Sequence, residues 1–152
     1  MNLLAIHGLG GGSYFFDGLA ERLQPEYRVI SIDLPVSTPD FSMATWVDEL
    51  GALVAERVAE PVVILGHSMG TMLALEAWKA WPKRIRALIF VGGVPQVAPR
   101  IRERLTDRLN ALQGARNLIG WGKKIAPCVF ATRTLRDWHD IVARFEREFD
   151  TQ

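Results

Sequence analysis

Four short apolar runs, separated by segments with helical spacing, constrain the fold of this chain more than any other feature of its sequence. The runs consist mostly of Val, Ile and Leu without polar alternation, which is typical of strands that are buried on both faces. They are Leu3–Ile6, Val29–Ile32, Val62–Leu65 and Ala87–Val91. Strands that alternate with helices predict an α/β fold, with a mostly parallel sheet, flanking helices and right-handed crossovers.

Three segments between these runs each place apolar side chains on one helical face. The first runs from Phe15 to Leu23. The second follows Ser42, a predicted N-cap, and the third starts at Met69 and stops at Pro82. The predicted buried face of the third helix includes Leu73, Ala74, Ala77 and Trp78.

Residues 96–152 have a different character, because no buried-strand run of comparable quality follows Pro95. We predict a helical appendage over the sheet, with one amphipathic helix that ends at Gly114 and another near the end of the segment. Their apolar positions are Ile101, Leu105, Leu109 and Leu112, and then Trp138, Ile141, Val142, Phe145 and Phe149. Residues 1–95 carry a net charge of −3, whereas residues 96–152 carry +4, with 11 Lys and Arg against 7 Asp and Glu. This basic segment either forms an ordinary solvated surface or attracts an anionic partner.

Composition excludes several classes of protein. Hydrophobic residues make up 49% of the 152 residues, too many for a disordered chain. No stretch approaches the roughly 18 apolar residues of a membrane-spanning helix, and the N-terminus lacks a signal-peptide pattern. The single cysteine, Cys128, cannot form an internal disulfide, so we expect a reducing cytoplasm. The sequence has no long basic run and no zinc-ligand spacing, so we expect neither a nucleic-acid partner nor a metal.

The motif that carries chemistry is Gly66-His67-Ser68-Met69-Gly70, which fits the pattern G-x-S-x-G. It follows a predicted buried strand directly and precedes a predicted helix, which is the context that a nucleophile elbow needs. Glycines allow the sharp turn, because side chains at those positions would collide with the neighbouring strand and helix. Ser68 is therefore the predicted nucleophile, and the N–H of Met69, at a helix N-terminus, is a predicted oxyanion donor.

A glycine-rich loop, from His7 to Gly12, follows the first predicted strand. In a sheet with the strand order second, first, third, fourth, this loop and Ser68 stand together at the carboxyl ends of neighbouring strands. Ligands bind at this switch point in open α/β sheets. The N–H of Leu9 is therefore the predicted second oxyanion donor.

At these residues the sequence resembles the α/β-hydrolase superfamily over residues 1–95, and residues 96–152 resemble the helical cap that many members insert after this fourth strand. The resemblance implies a serine hydrolase that acts on a carboxylic ester or related acyl bond of a small molecule, without a cofactor. It assigns Ser68 as nucleophile and the N–H groups of Leu9 and Met69 as the oxyanion hole. Similar branches include carboxylesterases, enol-lactonases, carbon–carbon bond hydrolases and the pimeloyl-carrier-protein methyl esterases, in which a basic cap binds an acidic carrier protein.

The sequence departs from the family at the catalytic base. Family members continue with further strands, which bring the triad acid and then the base histidine. The three histidines here are His7 in the oxyanion loop, His67 in the elbow and His139 in the predicted tail helix, and none matches that base. A serine without a base is a weak nucleophile, and loss of the histidine costs on the order of 10⁶ in turnover. We therefore expect the N-terminal part of a hydrolase, truncated, incomplete at the outer edge of the Ala87–Val91 strand, and dependent on a partner chain or further sequence.

Two other interpretations remain open at this point. A half-hydrolase can be a non-catalytic binding module or a remnant of the same fold. Alternatively, Gly8 to Ser13 is close to the dinucleotide-binding pattern G-x-G-x-x-G, and Asp33 ends the second strand where a ribose-binding acid would stand. That interpretation leaves Gly66 to Gly70 without a role.

Overall fold

Four parallel strands, β1 (Asn2–Ile6), β2 (Arg28–Ile32), β3 (Val62–His67) and β4 (Ile85–Val91), form one sheet. Their spatial order is β2-β1-β3-β4, so β1 and β3 are neighbours. The predicted α/β class, the parallel sheet and the strand order considered above are confirmed.

The structure, a computed structural model, describes residues 1–8, 10–34, 42–58, 61–93, 98–113 and 120–150. The chain divides into two compact units, residues 1–95 and 96–152.

Helices cover both faces of the sheet in the first unit. A 3-10 turn (Ser13–Phe16) leads into α1 (Asp17–Leu23), and the other two helices are α2 (Met43–Arg57) and α3 (Met69–Ala80). Side chains of successive strand residues point to opposite faces. Leu4 and Ile6 therefore join the core beneath α2 and α3, whereas Leu3 and Ala5 join a smaller core with Phe16.

The predicted N-cap of α2 is confirmed, because the Ser42 hydroxyl accepts a hydrogen bond from the N–H of Thr45 at 3.1 Å. The buried face of α2 consists of Trp46, Val47, Leu50 and Val54. The face predicted for α3 is only partly correct. Leu73, Ala74 and Ala77 are buried, but Trp78 is 46% exposed. One residue step rotates a helix by about 100°, so Trp78 lies beyond the side of α3 that faces the sheet.

The prediction that Ala87–Val91 is buried on both faces is wrong. In the described part of the chain β4 pairs only with β3, which makes β4 an edge strand. Leu88 packs against the core, whereas Ile89, Phe90 and Val91 are 43%, 52% and 45% exposed. Apolar composition predicted a strand correctly here, but a strand is buried only where other elements cover it.

The second unit contains four described helices, α4 (Pro99–Gln113), α5 (Trp121–Val129), α6 (Thr132–Asp137) and α7 (His139–Asp150). A residue remote in the sequence caps the N-terminus of α5. The Asp150 carboxylate accepts hydrogen bonds from the N–H groups of Gly120 and Gly122 at 2.8 and 2.7 Å. These bonds lower the pKa of Asp150. A Cβ on Gly122 would collide with the backbone of Glu146, so α5 and α7 pack closely.

The amphipathic helix predicted near the end of the chain corresponds to α7, in which Val142 and Phe145 are buried. Trp138, assigned above to its apolar face, precedes the helix and is 54% exposed, so that assignment is wrong. The predicted apolar side chains of α4 and that of Phe149 lie outside the described residues. Among the described helices none combines the length and apolar character needed to cross a bilayer.

Candidate active site

Ser68 occupies a strained turn between β3 and α3. Its backbone has φ 52° and ψ −116°, and no other described non-glycine residue has a positive φ. A conformation of this kind costs about 1–3 kcal/mol and persists only where its surroundings enforce it. Here the surroundings are backbone, because a Cβ on Gly66 would collide with the carbonyl of Gly70, and a Cβ on Gly70 with the carbonyl of Ile6. Ser68 itself is exposed.

Hydrogen bonds hold this turn on both sides. The Ser68 N–H donates to the carbonyl oxygen of Val91 at 2.9 Å, which ties the turn to the end of β4. The Ser68 carbonyl oxygen accepts from the N–H of Thr71 at 3.0 Å and from the Thr71 hydroxyl at 2.6 Å. Both peptide groups that flank Ser68 are therefore fixed by neighbouring elements.

The glycine-rich loop and the serine turn lie against each other. A Cβ on Gly8 would stand 2.8 Å from the Cβ of Ser68, so only glycine allows this approach. The N–H of Gly11 donates to the Gly8 carbonyl at 3.1 Å and closes a tight turn. Leu9 lies outside the described residues. Met69 is the first residue of α3, and the first N–H groups of a helix have no partner within the helix. The oxyanion roles of Leu9 and Met69 remain predictions.

His7 is a structural residue of this site. Its Nε2 accepts from the backbone N–H of Leu34 at 3.1 Å, so the proton of the neutral ring is on Nδ1, which donates to the Gly8 carbonyl at 2.7 Å. Burial is the main influence on the ring and lowers the pKa of His7, while the bond to Gly8 and the charge of Asp33 act against this. A buried imidazole that uses both nitrogens in this way is not available as a base.

Of the other two histidines, His67 belongs to the first unit and His139 to the second. His67 is half-buried with its ring edge-on to Phe15 at a centroid distance of 6.4 Å, and burial, then the nearby His7, lower the pKa of His67. His139 is exposed at the start of α7 in the second unit. Among the described residues of the first unit, no imidazole is hydrogen-bonded to the Ser68 hydroxyl. No cluster of His, Cys, Asp and Glu in the described part of the chain is placed to hold a metal ion.

Asp33 supports the glycine-rich loop. Its two carboxylate oxygens accept from the Ser13 N–H at 2.6 Å and from the Ser13 hydroxyl at 3.0 Å. The carboxylate therefore caps the 3-10 turn that ends the loop. This contact gives Asp33 a structural role at the glycine-rich loop, independent of any ligand. The Ser13–Asp33 pair could not be predicted from the sequence, because 20 residues separate the two and no local pattern links them.

This arrangement, a strained serine at a strand-to-helix turn beside a glycine-rich loop, agrees with the sequence comparison. The profile of the alpha/beta hydrolase family matches residues 3–152, and the chain belongs to this family.

The chain is similar to one esterase in sequence and to two solved hydrolase structures in fold. The pimeloyl-[acyl-carrier protein] methyl ester esterase of Methylococcus capsulatus is 32% identical over 95 residues, which are 62% of this chain and 37% of that protein. A hydrolase from Pseudomonas aeruginosa superposes with a TM-score of 0.83 at 17% identity, over 98% of this chain and 58% of its own. A thermophilic esterase from Thermogutta terrifontis gives 0.81 at 21%, over 99% and 58%. At these identities the two structures establish the fold alone. The chain spans between about a third and three fifths of the length of these relatives.

Proposed function

We propose that this protein is a serine hydrolase of carboxylic esters or related acyl bonds, with Ser68 as its nucleophile. The observation that carries the proposal is the backbone of Ser68, which has a positive φ at a turn where a Cβ on either flanking glycine would collide with backbone. Backbone strain of this kind costs free energy and persists only where the surrounding structure enforces it. Strained residues are therefore concentrated at functional sites. The turn also leaves Ser68 exposed beside Gly8.

The proposed reaction begins when the Ser68 oxygen attacks the carbonyl carbon of the substrate. The Oγ–C bond forms, the carbonyl oxygen becomes an oxyanion held by the N–H groups of Leu9 and Met69, and the bond to the leaving alcohol then breaks. The proton of Ser68 passes through a base to that alcohol, and water releases the acyl group from the serine. Neither the buried His7 nor His67, packed against Phe15, takes the part of the base.

We place the base and the triad acid on polypeptide that pairs with the exposed edge of β4. The Ser68 N–H is already bonded to Val91 at the carboxyl end of that strand, so groups at the end of an adjacent parallel strand would lie close to the nucleophile. In the described part of the chain β4 has a partner strand on one side only, and three of its apolar side chains are exposed. Both observations support a further strand or a partner chain at this edge.

The acyl substrate is a small molecule, and an acidic carrier protein is its proposed carrier. The relative from Methylococcus capsulatus is by name an esterase of a carrier-bound methyl ester. Basic side chains on the second unit support an acidic partner, since residues 96–152 have a net charge of +4 and opposite charge speeds encounter. Exposed members of this group are Arg100, Arg102, Arg104, Lys123 and Lys124. We propose that residues 96–152 are the helical cap segment of the hydrolase.

Covalent labelling with a fluorophosphonate, followed by peptide mass spectrometry, tests the nucleophile. With the polypeptide that pairs with β4 present, labelling is expected on Ser68, absent in Ser68→Ala and retained in Ser42→Ala, which removes a serine that caps α2 and leaves the turn intact. A folded protein that takes up no label even with that polypeptide present would favour the second candidate function, a binding module whose serine is not activated. That candidate is supported by the lack of an imidazole bonded to Ser68 among the described residues of the first unit.

A further inference from the structure

We infer that Thr71 is a positioning residue for the oxyanion hole, an inference that rests on the proposed function of Ser68 and Met69. The hydroxyl of Thr71 donates to the Ser68 carbonyl oxygen at 2.6 Å, and the backbone N–H of Thr71 donates to the same oxygen at 3.0 Å. One residue therefore occupies both acceptor positions of this carbonyl.

The carbonyl of Ser68 and the N–H of Met69 belong to one peptide group. A peptide group is planar, so the direction of its C=O fixes the direction of its N–H. By holding the Ser68 oxygen with two donors, Thr71 sets where the Met69 N–H points. Hydrogen bonds to a carbonyl also polarise the peptide group, which strengthens its N–H as a donor. The geometry thus connects the Thr71 hydroxyl to the proposed oxyanion site through one peptide plane.

The surroundings of Thr71 keep its hydroxyl in this position. Thr71 is only 5% exposed, and a Cβ built on Gly93 would stand 2.5 Å from both the methyl carbon and the hydroxyl oxygen of Thr71. The turn that follows β4 therefore packs directly against the side chain and limits its rotation. A threonine hydroxyl within a helix commonly bonds to a carbonyl one turn earlier. Here that carbonyl belongs to the strained residue before the helix, whose ψ of −116° is not helical.

Thr71→Val and Thr71→Ser separate the hydroxyl from the shape of the side chain. Valine keeps the branched shape against Gly93 and removes the donor, whereas serine keeps the donor and removes the methyl group. Thr106→Val, at an exposed position on α4, is the matched control. The rate of fluorophosphonate labelling at Ser68 is measured for all four proteins, with a thermal melt to verify folding.

We expect Thr71→Val to label roughly three- to tenfold more slowly than the wild type, the range that loss of one buried hydrogen bond gives. Thr71→Ser and the control are expected within about twofold of the wild type. The inference is overturned if Thr71→Val labels at the wild-type rate, or if Thr71→Ser is as slow as Thr71→Val, since packing and not the hydroxyl would then matter.

A crystal structure of each Thr71 variant decides the inference even if wild-type Ser68 takes up no label. Absence of label contradicts the proposed function, whereas the structures report the peptide group itself. The expected result is a rotated Ser68–Met69 peptide in Thr71→Val and the wild-type orientation in Thr71→Ser. An unchanged peptide in Thr71→Val, with the Ser68 carbonyl still bonded to the N–H of residue 71, would show that the hydroxyl is dispensable.

Discussion

The imidazole of His7 accepts a hydrogen bond from the backbone N–H of Leu34 at 3.1 Å, and so joins the loop after β1 to the end of β2. The same ring donates to the Gly8 carbonyl, next to the proposed nucleophile. A histidine that follows a first strand and precedes a glycine is easily taken for a catalytic base. Its two hydrogen bonds instead give it a structural role, because they hold the glycine-rich loop in place.

Because of this ring, the stability of the protein is predicted to decrease as the pH is lowered. Burial lowers the pKa of folded His7 below its ordinary value of 6.5, so between the two pKa values the unfolded chain binds more protons than the folded one. The free energy of unfolding is therefore level above that range and falls as pH drops below about 6.5, by at most about 1.4 kcal/mol per pH unit for one group. The lowered pKa of His67 acts in the same direction.

Urea denaturation between pH 8 and pH 5.5 measures this slope. His7→Gln keeps an acceptor near the Leu34 N–H and removes the titration, so we expect a shallower slope than in the wild type. His7→Ala leaves that buried N–H without its acceptor and is expected to cost about 1–3 kcal/mol at pH 8. An equally steep slope in His7→Gln would contradict the assignment to His7.

The glycines of the serine turn are predicted to be irreplaceable, and a third glycine supplies the contrast. Gly70→Ala forces a Cβ into the Ile6 carbonyl, so we expect a loss above about 4 kcal/mol or failure to fold. Gly18 lies in α1 with no atom within 4 Å of its virtual Cβ. Gly18→Ala is therefore expected to stabilise the fold by about 0.4–1 kcal/mol. Circular dichroism melts compare the two, and equal melting temperatures would refute the steric argument.

Ser68 is predicted to lower the stability of the protein that it serves. Its φ of 52° is unfavourable for any residue with a Cβ, so Ser68→Gly should relieve strain and raise the free energy of unfolding by about 1 kcal/mol. Ser68→Ala retains the Cβ and should show no such gain, which makes it the matched control. Both variants should lose fluorophosphonate labelling. A glycine variant that is no more stable than the alanine variant would argue against strain at this residue.

The exposed edge of β4 is predicted to drive self-association. Ile89 is 43% exposed on an edge strand, so replacing it with lysine removes little buried surface while placing a charge where another strand would pair. In light scattering over a range of concentrations, Ile89→Lys should remain smaller than the wild type, with a similar melting temperature. Lys83→Ala, at an exposed position before β4, is the control and should associate as the wild type does.

Local sequence patterns predicted the parts of this fold that depend on local physics. Runs of Val, Ile and Leu predicted the strands, Ser42 predicted the start of α2, and the spacing around Ser68 predicted a strand-to-helix turn. Each of these features depends on residues within a few positions of one another. The burial of Trp78 and of β4 was predicted wrongly, because exposure depends on what lies alongside an element in space.

The contacts that support the site were beyond the reach of such patterns. His7 pairs with Leu34 across 27 residues, and Asp33 pairs with Ser13 across 20. These pairs form only after parallel strands bring their carboxyl ends together. The sequence shows a histidine, an aspartate and a serine near glycines. Nothing in the local sequence distinguishes a residue that holds the loop in place from a residue that takes part in catalysis.

The hydrogen bond from the Ser68 N–H to Val91 has a consequence for protein engineering. The five residues from Gly66 to Gly70 are contiguous in the sequence, which suggests that this short segment could be transferred to another sheet. Their conformation, however, depends on the carbonyl of Ile6 at one side and on that of Val91 at the other. A protein that receives this turn must therefore also receive β1, β3 and β4. A deletion that removes β4 would remove the acceptor of the Ser68 N–H and disrupt the serine turn.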